Sequence, residues 1–176
     1  MIPGVSYDQR YWEDVAEGSA LPRVDDEISY RRVIMNPATT WDYFPGHHDP
    51  EYARSQGQPT IYINTMHFLG FVDRLATEWG GPRSFIARRK ISMQRSIYAG
   101  DTMVGEGRVV RRYIDDAGAR VRHLVDLELT VKNQDGELCC PATVTLELPV
   151  RGLRPRTPSP PGSLAVARSA GQELRS

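Results

Sequence analysis

NTMHFLGFVDRLATEW, residues 64–79, is the stretch whose reading decides the fold. Met66, Phe68, Leu69, Val72, Leu75, Ala76 and Trp79 recur at helical spacing and form one broad apolar face. Gly80-Gly81-Pro82 follows directly, and glycine then proline is how a helix is stopped. The stretch reads as one long helix with a face that must be buried. Downstream the period changes. About Ser84 to Tyr98, Thr102 to Tyr113, Arg120 to Asn133 and Leu138 to Leu148 read as strands, parted by the turn signals Ala99-Gly100-Asp101, Asp115-Asp116-Ala117-Gly118 and Gln134-Asp135-Gly136. A long helix followed by four consecutive strands predicts an α+β layout, with a curved antiparallel sheet wrapped around its own helix.

Upstream of the helix, Val24 to Arg32 has the β-branched and aromatic residues of a first strand. Asn36-Pro37 then supplies an N-cap and a proline at the first helical position, predicting a short helix that ends near Phe44. Pro45-Gly46 stops it, Asp49-Pro50 starts another helical turn, and Gly57-Gln58-Pro59 breaks the chain again. From Arg151 onward the composition turns to Pro, Ser, Gly and Arg without apolar periodicity, so residues 1–150 read as one domain and residues 151–176 as a tail. With 176 residues and 40% apolar content, a single domain with a proper core is the prior. Lys plus Arg and Asp plus Glu balance at 22 each, which argues against nucleic acid or an acidic membrane as partner. Cys139 and Cys140 are neighbours and cannot staple distant segments, and the N-terminus lacks a basic start and an apolar run. Both features predict a cytoplasmic, non-membrane protein.

The chemistry concentrates in TWDYFPGHHDPEYA, residues 40–53. On a regular helix Asp42 and His47, five residues apart, point about 140° away from each other. A break at Pro45-Gly46 lets His47 swing back toward a carboxylate on the last helical turn. A carboxyl and an imidazole sharing one water are the minimum equipment for adding water to a conjugated double bond.

At this stretch the sequence resembles the MaoC-like (R)-specific enoyl-CoA hydratases and dehydratases. Their motif runs Asp, a polar residue two later, Pro, His, then x-Asp-Pro-x-x-Ala, and Asp42, Pro45, His47, Asp49, Pro50 and Ala53 match it. The similarity continues through Ile61-Tyr62-Ile63-Asn64 and the long helix to Tyr98-Ala99-Gly100-Asp101-Thr102, covering about residues 10 to 150. Asp-Tyr before His-His-Asp, and Trp-Gly-Gly-Pro after the helix, look especially like the small catalytic subunit of actinobacterial steroid side-chain enoyl-CoA hydratases. The resemblance implies a hot-dog fold and an acid/base pair of Asp42 and His47 acting on an acyl-CoA or acyl-carrier-protein thioester. It also implies a thioester carbonyl aimed at the backbone N–H groups near Thr65 and Met66, and a homodimer or a heteromer with a paralogous hot-dog chain. It calls for no metal or other cofactor. The sequence departs from the pattern twice. The polar residue is Phe44, for which Asn64 is the nearest substitute as a hydrogen-bonding group. Thr65 replaces a small residue at the start of the helix.

Plainer readings stand beside these. An Asp at a helix end and a His in a loop are, without the motif, a cap and a solvated side chain. Asp49 most simply caps the next helical turn. His48 reads as exposed, His67 as a packed or partly exposed histidine, and Trp12, Trp41 and Trp79 as packing. Adjacent His47 and His48 diverge and make a poor metal site. Arg88-Arg89-Lys90 alternates faces in a strand, so Arg89 is the candidate contact to the CoA phosphates against a default of solvated sheet. Two other functions remain in view. A thioesterase usually carries a carboxylate on the long helix, where acids come only late, at Asp73 and Glu78. A non-catalytic or repurposed acyl-binding subunit, or a natural-product tailoring protein, is the alternative of a different class.

Overall fold

The computed structural model describes residues 8–118 and 120–152, so all but the first two residues of the expected tail lie outside the described residues. Its core is the long helix. Strand β1 (Val24–Glu27) is followed by α1 (Tyr30–Thr40), a 3-10 turn over Pro45–His47 and the short α2 (Pro50–Ser55). Helix α3 (Thr65–Gly80) comes next, then the strands β2 (Phe85–Ile91), β3 (Thr102–Asp115), β4 (Arg122–Lys132) and β5 (Leu138–Glu147). The five strands form one antiparallel sheet in the order β1-β3-β4-β5-β2. Bulges after Ile86 and Val109 break the register and help the sheet curl. This is the hot-dog arrangement that the motif implied.

The helix is held by apolar burial. Phe68, Phe71, Val72, Leu75, Ala76 and Trp79 are buried against Val109, Val125, Leu127, Leu129, Val131, Val144 and Leu146 of the sheet. Each large side chain so buried contributes about 1.5–3 kcal/mol. The sheet side makes room: a Cβ at Gly105 would lie 2.6 Å from both terminal carbons of Leu75 and 2.8 Å from Phe71. Two residues assigned to the apolar face from periodicity fall outside this core. Met66 is exposed and Leu69 is only partly buried, while Phe71 takes a core place. The apolar stripe is wider than the sheet can cover, and Met66 and Leu69 lie on its uncovered side.

The N-terminal half also departs from its reading. The first strand ends at Glu27, and Ser29 caps α1 by accepting a hydrogen bond from the Arg32 N–H. The helix therefore starts seven residues before Pro37 and carries that proline inside it. Val33 and Pro37, one turn apart, form its buried face, so tertiary packing offsets the missing N–H. Helix α1 then stops at Thr40, short of Asp42. Trp41 adopts a left-handed conformation (φ 59°) and the Asp42 N–H reaches back to the Pro37 carbonyl at 3.0 Å, the signature of a Schellman-type stop. Trp41 is 78% exposed rather than packed.

Replacing Val72 by Asp should leave an uncompensated charge in the core and yield unfolded or insoluble protein, read by circular dichroism and by the soluble fraction. Gly105→Val should push Leu75 and Phe71 out of place and cost about 1–3 kcal/mol in urea unfolding, where Leu69→Ala at the partly covered position should cost less.

Candidate active site

Three elements converge on His47. The 3-10 turn is closed by the His47 N–H on the Phe44 carbonyl (3.1 Å) and the Asp49 N–H on that of Pro45 (2.8 Å). Asp49 then caps α2, accepting from the N–H groups of Glu51 (2.9 Å) and Tyr52 (3.1 Å), the structural role its position suggested. His47 is buried, whereas its neighbour His48 is exposed. The third element is the segment Ile61-Tyr62-Ile63, pinned to its neighbours by Tyr62 N–H to Gly46 O (3.3 Å), Ile63 N–H to Ile97 O (3.0 Å) and Ala99 N–H to Ile61 O (2.9 Å).

That segment sets the imidazole. Nδ1 of His47 lies 2.7 Å from the Tyr62 carbonyl, and a carbonyl only accepts, so Nδ1 carries the proton. In the neutral ring Nε2 is then the nitrogen that carries the lone pair. It faces Oδ2 of Asp42 at 3.5 Å. Asp42 is not on a helical turn but in the loop just past the Trp41 stop, so the helix ending, rather than Pro45-Gly46 alone, turns the carboxylate toward His47.

The carboxylate is held by Asn64. Its amide Nδ2 donates to Asp42 Oδ2 and to Thr40 Oγ1, both at 3.1 Å, while its Oδ1 accepts from the His67 N–H at 3.0 Å as the N-cap of α3. One buried carboxamide therefore joins the end of α1, the acidic loop and the start of the long helix. The Asn64 side chain satisfies the His67 N–H, and among the described residues the Thr65 and Met66 N–H groups have no acceptor. Free N–H groups in the first turn of a helix favour negative charge placed before them.

A cleft of about 250 Å³ opens here, lined by His47, Tyr62, Asn64, Thr65, Phe68 and the 93–96 segment among others. Of the residues selected from sequence, His47, Asn64 and Thr65 line the cleft, while Asp42 and Phe44 meet His47 from outside that lining. Met66 sits exposed on the first turn of α3 outside the cleft lining. Arg89 is elsewhere: its guanidinium pairs with Asp73 on α3, since Arg89 faces the helix while Arg88 turns to Tyr113 on the other side of the sheet. Asp73, weighed as a thioesterase acid, is therefore already engaged.

Sequence reading missed Tyr62. Its signal was present in Ile61-Tyr62-Ile63, where two buried isoleucines flank a residue that period two turns the other way. Burial pushes the Tyr62 phenol above its usual value, with Tyr52 and Tyr98 adding to the shift, so it stays neutral beside His47. His67 is held below the usual imidazole value by burial and by Arg32. Cys139 and Cys140 are buried, which raises both thiols, and no cluster of three metal-binding side chains occurs among the described residues.

No protein-family model matches the chain. Among curated proteins it is 27% identical over 134 residues to the β subunit of the 3-oxo-4,17-pregnadiene-20-carboxyl-CoA hydratase of Mycobacterium tuberculosis, covering 76% of this chain and 95% of that protein. Among solved structures it matches the ChsH1-ChsH2 complex of the same organism at 26% identity and a TM-score of 0.66, covering 76% of this chain and 98% of that one. A MaoC-like dehydratase from Rhodospirillum rubrum superposes with a TM-score of 0.71 at 21% identity, over 82% of this chain and 99% of the other. By motif, by sequence similarity and by fold, this chain is a hot-dog protein similar to the MaoC-like hydratases and dehydratases.

Proposed function

We propose that this chain adds water to 2-enoyl thioesters to give 3-hydroxyacyl thioesters, or runs the same path backward as a dehydratase, with Asp42 and His47 as its acid/base pair. The observation that carries the reading is the 3.5 Å approach of His47 Nε2 to Asp42 Oδ2, with Nδ1 already committed to Tyr62. A water held between those two atoms loses a proton to Nε2 as its oxygen bonds to Cβ of the enoyl group. The electron pair of the double bond shifts toward the thioester carbonyl, and a proton delivered from the pair then closes the bond at Cα. The developing enolate oxygen would be met by the free N–H groups of Thr65 and Met66, which supply preorganised donors at no reorganisation cost. The similar proteins are named as a steroid-type acyl-CoA hydratase and a dehydratase, so bulky and linear enoyl-CoA substrates both belong in the assay.

The thioester carrier is CoA or an acyl carrier protein, and the working unit is a dimer with itself or with a paralogous hot-dog chain. Among the described residues β1 and β2 are the outermost strands of the sheet, pairing with β3 and β5 respectively. The solved relative is a complex of two different chains. Light scattering of active protein should give about twice the 19.8 kDa chain mass or more, and an active 20 kDa species would overturn the assembly.

Followed by the loss of enoyl-thioester absorbance, Asp42→Asn and His47→Ala should each lower kcat by about 10²- to 10⁴-fold. The double variant should lose little more than the worse single one, because the two groups act as a unit. His48→Ala should keep most activity. Asn64→Ala should reduce turnover and, by removing the α3 cap, also cost about 1 kcal/mol of stability. Wild-type turnover in Asp42→Asn would replace the enzymatic reading with that of an acyl-binding subunit.

A further inference from the structure

Residue 44 is one of the two positions at which this chain departs from the motif it resembles, and it carries an aromatic ring. The Phe44 ring lies 5.5 Å from the His47 imidazole at an interplanar angle of 67°. The Tyr62 ring approaches the same imidazole at 5.1 Å and 80°. Both are edge-type contacts within the range where aromatic pairs attract. Tyr52 braces Phe44 in turn, at 5.6 Å and 89°. The two flanking rings close over Gly46, where a Cβ would sit 2.6 Å from Phe44 Cε1 and 2.7 Å from the Tyr62 hydroxyl. The backbone of residue 44 also touches both members of the pair. Its N–H reaches Asp42 Oδ1 at 3.4 Å, and its carbonyl accepts from the His47 N–H at 3.1 Å.

A single hydrogen bond at Nδ1 fixes the tautomer of His47 but leaves the ring free to tilt about that bond. Something else must aim Nε2. We propose that Phe44 is a positioning residue for His47, gripping the imidazole against Tyr62 so that Nε2 stays turned to the Asp42 carboxylate. Aromatic contact thus aims the imidazole, while the side-chain hydrogen bond to Asp42 comes from Asn64. His47 is 7% exposed and Phe44 beside it 43% exposed. A polar residue at 44 would give up the ring contacts to His47 and Tyr52 whatever hydrogen bond it added.

The proposal rests on reading His47 as the base, and its test separates the two. Phe44→Ala should lower kcat by about 10- to 100-fold, the scale of a misaligned catalytic group, with KM changing much less. Phe44→Tyr, which keeps the ring, should retain most of kcat, and Phe44→Asn should behave like Phe44→Ala. In ¹⁵N- and ¹³C-labelled protein, the His47 ring protons should be displaced by the two neighbouring rings and should shift toward those of exposed His48 in Phe44→Ala. The Nδ1 proton should exchange faster. Because Phe44 is partly exposed, the thermal midpoint should stay near that of wild type, so lost activity is not lost fold. Unchanged His47 resonances in Phe44→Ala would overturn the clamp whatever the activity, and so would a wild-type kcat. Shifted His47 resonances in a protein that hydrates no enoyl thioester would keep the clamp and remove the enzymatic reading.

Discussion

A sixteen-residue helix with apolar side chains over half its circumference has to be enclosed, and the fold follows from how that is done. The strands curl around α3 because β3 presents glycine at position 105, where any side chain would collide with Leu75, and because bulges in β2 and β3 bend the sheet. The helix then becomes a rigid axle. Its N-terminus is fixed relative to the sheet to within the tolerance of core packing, which does not yield to small displacements. A reacting group placed against that terminus inherits its precision.

The candidate site uses this rigidity at one point. Asn64 is the first residue outside α3, and its carboxamide faces two ways, to the His67 N–H that it caps and to the Asp42 carboxylate. The acid is therefore referenced to the core although it lies in a loop. His47 is referenced separately, through the Tyr62 carbonyl on a segment pinned by hydrogen bonds to Gly46 and Ile97. Two loop residues acquire a fixed separation because each is tied to a different part of the same scaffold. Phe44 adds a third restraint between them.

The surface shows the opposite economy. Arg108 with Glu128 and Lys132 with Glu106 pair across neighbouring strands on the outside of the sheet. Such exposed pairs contribute little to stability, typically about 0–1 kcal/mol each. They keep that face hydrated and leave the apolar interactions around α3 to carry the fold. Arg89, which sequence alone offered as an anion contact, is used differently: it faces the helix and meets Asp73. Alternation along β2 separates it from Arg88.

The sequence by itself determined what depends on near neighbours along the chain. The span of α3, the succession of strands along the chain and the Asp49 cap are written in period and capping residues, but four successive strands read as a simple meander, whereas β2 crosses to the sheet edge beside β5. Tertiary structure decided what depends on distant partners. Pro37 looked like a helix start, yet α1 runs through it because Val33 and Pro37 are buried together. Leu69 and Phe71 are equally apolar, but the covering sheet chooses Phe71 for the core. The tautomer of His47 rests on a carbonyl fifteen residues away, and the orientation of Asp42 on a side chain twenty-two residues away. Periodicity records that a face is apolar or that a group is polar. It cannot record which surface will meet it, since that contact exists only once the chain has folded.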